Sequence, residues 1–108
     1  MEIDEIVDAL AALAQKSRLS VYRLLVEAGP EGLAAGAIGE QLELPPATLS
    51  FHLAHLSRTG LVKSRQEGRY VIYSADYQSM NQLVGYLTEN CCRKGQGNEA
   101  IPRPRRRA

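Results

Sequence analysis

The sequence predicts a mainly α-helical domain with one β-hairpin, in the order α-α-α-α-β-β-α. Two features carry this prediction. Apolar residues recur at helical spacing along the first half of the chain and again after Asp76, whereas two short runs rich in β-branched and aromatic residues lie between these stretches. The length of 108 residues and the apolar content of 44% fit one globular domain. We therefore expect residues 1–92 to form that domain and residues 93–108 to form a flexible basic tail.

The first two helices are predicted at residues 3–14 and roughly 17–28. Apolar side chains recur at helical spacing through the first helix, and acidic residues occupy its opening turns, where the helix dipole favours negative charge. Ser17 is the predicted N-cap of the second helix, and Gly29-Pro30 ends it. The second helix carries apolar residues on all of its faces, which is typical of a buried helix.

A third helix is predicted from Leu33 to Leu42, although two glycines weaken it. The fourth helix runs roughly over residues 46–59. Two prolines at its start suit a first helical turn, which needs no backbone N–H donors, and Gly60 ends it. The short turn between these two helices is typical of a helix-turn-helix.

The hairpin is predicted from two β-prone runs, residues 61–65 and 70–74. Gly68 lies between them and can adopt the positive φ that a tight turn needs. A last helix begins near Asp76. It carries one apolar stripe at helical spacing, formed by Met80, Leu83, Val84, Leu87 and Cys91.

A helix-turn-helix followed by a β-hairpin is a winged helix-turn-helix. Four segments are informative through their order and spacing: Ser17-Arg18-Leu19, Thr48 to Leu56, Gly60-Leu61-Val62 and Arg65-x-x-Gly68-Arg69-Tyr70-x-x-Tyr73. With these segments the chain resembles the ArsR/SmtB family of winged-helix, metal- or metalloid-responsive repressors over roughly residues 5–92. This resemblance implies a homodimer built on the first and last helices and bound to a double-stranded operator DNA of two-fold symmetry.

The fourth helix is predicted to enter the major groove. Leu49, Leu53 and Leu56 share one face and belong to the core. Small, hydroxyl and aromatic side chains elsewhere on the helix could meet thymine methyl groups, base edges and phosphates. An ordinary solvated helix is the alternative. The candidate DNA-contacting residues of this helix are Ala47, Thr48, Ser50, Phe51, His52, His55 and Arg58.

His52 and His55 could in principle share a metal ion, because they are three residues apart on a helix. No Asp, Glu or Cys stands beside them in the helix. A contact with a phosphate group or a structural hydrogen bond is therefore the expected role of each.

The predicted wing carries Arg65 and Arg69 on either side of Gly68. Guanidinium groups on a hairpin can contact the phosphate backbone or enter the minor groove, and solvated charge is the alternative. The formal charge of +1 divides into −5 for residues 1–44, +3 for residues 45–94 and +3 for residues 95–108. The basic second half permits a polyanionic partner, and the basic tail could add salt-dependent affinity for DNA.

The two cysteines, Cys91 and Cys92, are adjacent. Neighbouring Cα atoms lie ~3.8 Å apart, which is below the usual disulfide range of ~4.4–6.8 Å. A disulfide between them would be strained, and in a reducing cytoplasm we expect a vicinal dithiol. Thiolates select soft ions. No apolar run is long enough for a membrane helix, so we expect a cytoplasmic protein with no membrane partner.

The family resemblance gives this dithiol a role. One sensor type of the family has cysteines at the start of the third helix, where residues 33–38 contain none. Another uses Asp and His on the last helix, which here offers Asp76 but no histidine. A third type places cysteines at the end of the last helix. The resemblance therefore implies that Cys91 and Cys92 bind trivalent arsenic or antimony as an effector, with no permanent cofactor.

Two sulfurs leave the coordination of trivalent arsenic incomplete, since this ion favours three. The third ligand would be water, a small-molecule thiol or a donor from the other protomer. Cadmium, lead and mercury stay open as effectors, as does a repressor that senses oxidants or electrophiles through the same thiols. A winged helix used for protein contacts is another alternative. An enzyme is disfavoured, because the chain has neither a Cys-x-x-Cys motif nor a glycine-rich phosphate loop.

Overall fold

A computed structural model describes residues 1–94, which contain five helices and three short strands. Four helices, a hairpin and a last helix follow one another as the sequence predicts, and one additional strand precedes the third helix. None of the helices within residues 1–94 has the length and apolar character needed to span a membrane. From residue 95 onward, the predicted basic tail lies outside the described residues. The elements are α1 (Ile3–Leu13), α2 (Lys16–Ala28), β1 (Leu33–Ala34), α3 (Ala35–Leu42), α4 (Pro46–Arg58), β2 (Val62–Glu67), β3 (Tyr70–Ala75) and α5 (Tyr77–Thr88).

The N-cap of α2 differs from the prediction. Gln15, and not Ser17, has the extended backbone of a cap, and its side-chain oxygen accepts a hydrogen bond of 2.8 Å from the backbone N–H of Arg18. Ser17 lies within the helix. The end of the helix is as predicted, because Gly29 has a φ of 85°, which stops helical propagation.

The strand β1 replaces the first residues of the predicted third helix. Leu33 pairs with Tyr73 and Ala34 with Ile72, so β1 joins the hairpin in an antiparallel sheet of order β1-β3-β2. Gly32, with a φ of 72°, packs so tightly on the carbonyl of Tyr73 that an added Cβ would collide with it. These contacts join residues that are 38 to 41 positions apart in the chain, and local spacing cannot reveal them.

The hairpin is confirmed, and each strand is slightly longer than predicted. Val62 to Glu67 pair with Ala75 to Tyr70, which leaves a two-residue turn of Gly68 and Arg69. Gly68 has a φ of 61° at the first turn position, as a type II′ turn requires. This turn forms the tip of the wing.

The core lies where α2, α3 and α4 meet the base of the hairpin. The largest fully buried side chains come from each of these parts: Val21, Leu25, Ile38, Leu53, Leu56 and Leu61. The first turn of α5 is attached to the end of α2, because the Tyr77 hydroxyl donates a hydrogen bond of 3.0 Å to the carbonyl of Val26. The core thus fixes α4 and the hairpin relative to each other.

Candidate nucleic-acid interface and effector site

Helix α4 presents one face to the core and another to solvent. Pro45 is its N-cap and Pro46 its first residue, a position where the missing N–H leaves no hydrogen bond unmade. Burial of the leucines at 49, 53 and 56 fixes the rotation of the helix. Phe51 is 62% exposed although it is a large aromatic residue. The sequence-predicted candidates that lie exposed on α4 are Ala47, Thr48, Ser50, Phe51 and Arg58.

His52 does not lie on this exposed face. Its side chain is only 7% exposed, and its Nδ1 lies 3.4 Å from Nη1 of Arg18. Arg18 also donates from Nε to the carbonyl of Ala12 at 2.7 Å, so it links the end of α1 to α4. Because arginine can only donate, Nδ1 must be the acceptor and the ring is neutral at this nitrogen. The structure therefore supports the structural hydrogen bond, which is one of the two roles expected of His52. Its DNA contact stays a prediction that the burial of the side chain disfavours.

Burial lowers the pKa of His52 below its ordinary value, and the positive charges of Arg18 and then of His55 lower it further. His55 is half-buried. Its pKa is lowered by burial and then by Arg18 and Arg58, and its Nδ1 is buried without a hydrogen-bond partner within residues 1–94. The Phe51 ring meets both imidazole rings edge-on, with centroids 5.6 Å and 6.5 Å away. The lowered pKa values favour the neutral form of both histidines beside the predicted DNA-facing surface.

The two arginines of the wing lie in different surroundings. Arg69 is exposed at the tip, and its guanidinium makes no hydrogen bond or ion pair with any residue that the structure describes. Arg65 lies nearer the base of β2, and its guanidinium contacts other parts of the protein. Tyr70, which follows Arg69, is 61% exposed. The alternation of side chains along a strand does not distinguish Tyr70 from its neighbours. The sequence therefore does not predict that its ring is exposed on the wing.

The dithiol follows the end of α5 and does not lie on it. The helix ends at Thr88, and Asn90 and Cys92 both have a left-handed φ of 64°. The predicted continuation of the α5 stripe to Cys91 is therefore wrong. The departure from the helix brings the two Sγ atoms to 3.4 Å from each other. Adjacent side chains on an intact helix diverge by about 100°, so the turn permits this convergence.

The surroundings of the dithiol are polar. Cys91 is exposed and Cys92 is partly exposed. The backbone N–H of Cys91 donates to the carbonyl of Thr88 at 3.0 Å, and the Arg93 guanidinium donates to Oδ1 of Asn90 at 3.0 Å. Within residues 1–94, no group of three or more His, Cys, Asp or Glu side chains is placed to hold a metal ion. A soft ion bound here would take further ligands from outside the described part of one protomer.

Apolar side chains remain exposed on α1 and α5, two helices that contact each other. The exposed residues of α1 follow a spacing of four and three residues, so they form one stripe. Both helices would therefore leave apolar surface in water if the chain were a monomer. The exposed side chains are Ile3, Val7 and Leu10 on α1 and Val84 and Leu87 on α5.

The helical pair α3–α4 with a three-stranded wing defines the class of winged helix-turn-helix DNA-binding proteins. The profile of a helix-turn-helix domain family matches residues 13–65. The transcriptional activator HlyU of Vibrio cholerae is 32% identical over 87 residues, which are 81% of this chain and 78% of HlyU. The chain belongs to the ArsR/SmtB family of winged-helix transcriptional regulators.

Solved structures agree with this assignment. HlyU superposes with a TM-score of 0.67 over 85% of this chain and 99% of HlyU, at 32% identity. The homodimeric winged helix-turn-helix DNA-binding domain of Mb0332 from Mycobacterium bovis has a TM-score of 0.65 at 26% identity and covers 87% of both chains. A possible transcriptional regulator for arsenical resistance has a TM-score of 0.65 at 28% identity, covering 74% of this chain and 80% of that one.

Proposed function

We propose that this chain is a homodimeric repressor that binds a two-fold operator and leaves it when trivalent arsenic or antimony binds Cys91 and Cys92. The observation that carries the effector part is the 3.4 Å separation of the two Sγ atoms. The DNA-binding part follows from the family and from the exposed face of α4. The relative named for arsenical resistance supports the choice of ion.

The sulfur geometry suits an ion with narrow bond angles. If each sulfur–ion bond is ~2.3 Å long, as in zinc thiolates, sulfurs 3.4 Å apart subtend an angle of about 95° at the shared ion. This angle is narrower than a tetrahedral one and suits a pyramidal ion that carries a lone pair. The third ligand would be water, a small-molecule thiol or a donor from the second protomer.

Dimerisation would bury the exposed stripes of α1 and α5. Burying a large aliphatic side chain completely contributes about 1.5–3 kcal/mol, and residues such as Val7 and Leu87 are 54% and 59% exposed. Several such side chains on each protomer provide a substantial driving force. The Mb0332 domain, which is homodimeric and has a similar fold, supports dimerisation.

The position of the dithiol suggests how the effector acts. Cys91 follows α5 by three residues, so an ion that fixes this turn also constrains the end of a proposed dimer helix. If the dimer geometry changed, the two α4 helices would no longer fit the two half-sites of the operator. These half-sites lie one DNA turn apart, at a distance of ~34–36 Å. Coupling of this kind between two sites typically amounts to ~1–3 kcal/mol.

The test is release of the protein from an operator. A duplex is first selected by the wild-type protein from a randomised pool, and binding is then titrated with arsenite by fluorescence anisotropy. Wild type should release the duplex, whereas Cys91→Ser and Cys92→Ser should stay bound. Thr88→Ser, a matched change at the end of α5, should respond like wild type. If both cysteine variants release the duplex as wild type does, the effector proposal fails while DNA binding stands.

A sensor of oxidants is the second candidate. Convergent thiols 3.4 Å apart could also react with a peroxide, which would take two electrons and two protons from them and form a strained disulfide and water. A structure of HlyU in its reduced form, 33% identical with a TM-score of 0.62 over 78% of this chain and 88% of that one, favours this candidate. Release by peroxide with no response to arsenite would select it over the metalloid sensor.

A further inference from the structure

Arg65 uses all three of its guanidinium nitrogens in contacts, and two of them reach the turn that precedes β1. Nε donates to Oε2 of Glu67 at 2.7 Å, Nη2 donates to the carbonyl of Glu31 at 2.9 Å, and Nη1 lies 3.5 Å from the carbonyl of Pro30. The carboxylate of Glu67 also balances the positive charge. Three of the five N–H donors of the guanidinium are used in this way, which leaves fewer for a phosphate group.

The contacts cross the whole sheet. Arg65 in β2 pairs with Ile72 in the central strand β3, and Ile72 pairs with Ala34 in β1. The Arg65 side chain therefore passes over β3 to reach the turn at residues 29–32, which leads into β1. It ties the free edge of the wing to the end of α2.

The turn that receives Arg65 is held by contacts of its own backbone. Gly29 and Gly32 have φ values of 85° and 72°, and the N–H of Gly32 donates to the carbonyl of Gly29 at 3.0 Å. Gly32 also packs on the carbonyl of Tyr73 in β3. These backbone contacts place the carbonyls of Pro30 and Glu31 as acceptors. Hydrogen bonds from Arg65 to these carbonyls therefore hold the wing against the turn.

We infer that Arg65 is a positioning residue, which holds the wing against the turn at residues 29–32 so that Arg69 at the tip can reach the DNA backbone. This inference rests on the proposed DNA-binding function and replaces the predicted DNA contact of Arg65 itself. The Arg65 side chain is 43% exposed, so its hydrogen bonds add little to stability and act mainly through geometry.

The charge-preserving variant Arg65→Lys separates positioning from direct contact. A lysine can replace an arginine that meets a phosphate as a point charge, but it lacks the planar fork whose three separate nitrogens reach Glu67, Glu31 and Pro30. On the duplex selected by the wild-type protein, Arg65→Lys should weaken binding as much as Arg65→Gln, by about tenfold. Arg65→Lys binding within twofold of wild type would overturn the inference.

A double-mutant cycle supplies the second arm. If Arg65 acts through Arg69, adding Arg65→Lys to Arg69→Gln should cause less than a twofold further loss of affinity. Losses that multiply would show that Arg65 acts independently of Arg69 and would overturn the inference. Wild-type affinity in Arg69→Gln would overturn it as well, because Arg65 would then have no contact to position.

The DNA-free protein gives a readout that does not depend on the proposed function. Amide hydrogen exchange at residues 66–71 should be faster in Arg65→Lys than in wild type. Lys63→Gln, which removes an exposed positive charge from the same strand, should leave this exchange unchanged. Equal exchange in Arg65→Lys and wild type would refute the tether, whereas failure of the wild-type protein to select any duplex would refute only DNA binding.

Discussion

The contact between Arg18 and His52 gives a structural role to a histidine in α4, the helix proposed to meet DNA. Arg18 spans from the carbonyl of Ala12 at the end of α1 to Nδ1 of His52 on α4. This span requires a neutral imidazole, since a protonated ring would have no acceptor for the guanidinium. The pair thus fixes α4 against the first two helices only while His52 stays uncharged.

The stability of the fold should consequently fall in mild acid. The ordinary histidine pKa is 6.5, and the folded-state pKa of His52 lies below it, so the unfolded chain binds more protons between these two values. The contribution of His52 to the free energy of unfolding is therefore fully present above about pH 6.5, and it decreases as the pH falls below this value. Urea unfolding at pH 7.5 and pH 5.5 measures this decrease.

The variant His52→Asn provides the control, because its side-chain oxygen can accept from Arg18 but does not titrate. The pH dependence should be smaller in this variant, and His55, whose pKa is also lowered, should account for what remains. The same decrease in wild type and His52→Asn would contradict the assignment.

Helical spacing alone could have placed His52 correctly. Leu49, His52, Leu53 and Leu56 follow the i, i+3, i+4, i+7 pattern of a buried stripe, and only the polarity of histidine suggests an outward side chain. The partner is harder to foresee. Arg18 lies 34 positions away in sequence, and nothing local indicates that it turns inward.

Among the helices, α4 has an exposed face that is proposed to bind DNA and a buried face that stabilises the fold. Phe51→Ala should weaken binding to the selected duplex by roughly tenfold, on the order of 1 kcal/mol, because a 62% exposed ring would be lost from the proposed interface. Its stability should fall by only about 0.5–1.5 kcal/mol, the value of an aromatic contact. Fluorescence anisotropy and urea unfolding measure the two effects.

The opposite face gives the opposite pattern. Leu53→Ala, at a side chain only 2% exposed, should cost about 2–5 kcal/mol of stability. While the protein stays folded, its affinity for DNA should change less than that of Phe51→Ala. Wild-type DNA affinity in Phe51→Ala would show that this face of α4 does not meet DNA.

The elements themselves were largely predictable, whereas two local features were not. Periodicity and turn residues indicate all five helices and the hairpin. The two-residue strand β1 exists because it pairs with the distant Tyr73 and Ile72. The turn at Cys91 and Cys92 depends on left-handed backbone at Asn90 and Cys92, which helical spacing extended past Thr88 cannot show.

At the scale of the whole molecule, the apolar stripes of α1 and α5 determine the proposed assembly. The double variant Val7→Glu/Leu87→Glu should be monomeric in sedimentation equilibrium, because both side chains are more than half exposed and would place charges in the dimer interface. Val71→Glu, which adds a charge on the wing, should remain dimeric. A monomeric wild-type protein, or a dimer in the double variant, would contradict this arrangement.

In the proposed mechanism, metalloid binding and operator binding to the same dimer weaken each other. Linkage is reciprocal, so an effector that releases the operator must itself bind less tightly when the operator is present. Calorimetric titration of arsenite into the protein, alone and saturated with the selected duplex, measures this directly. We expect arsenite affinity to fall by about 5- to 150-fold on the duplex, and equal affinity in both titrations would refute the coupling.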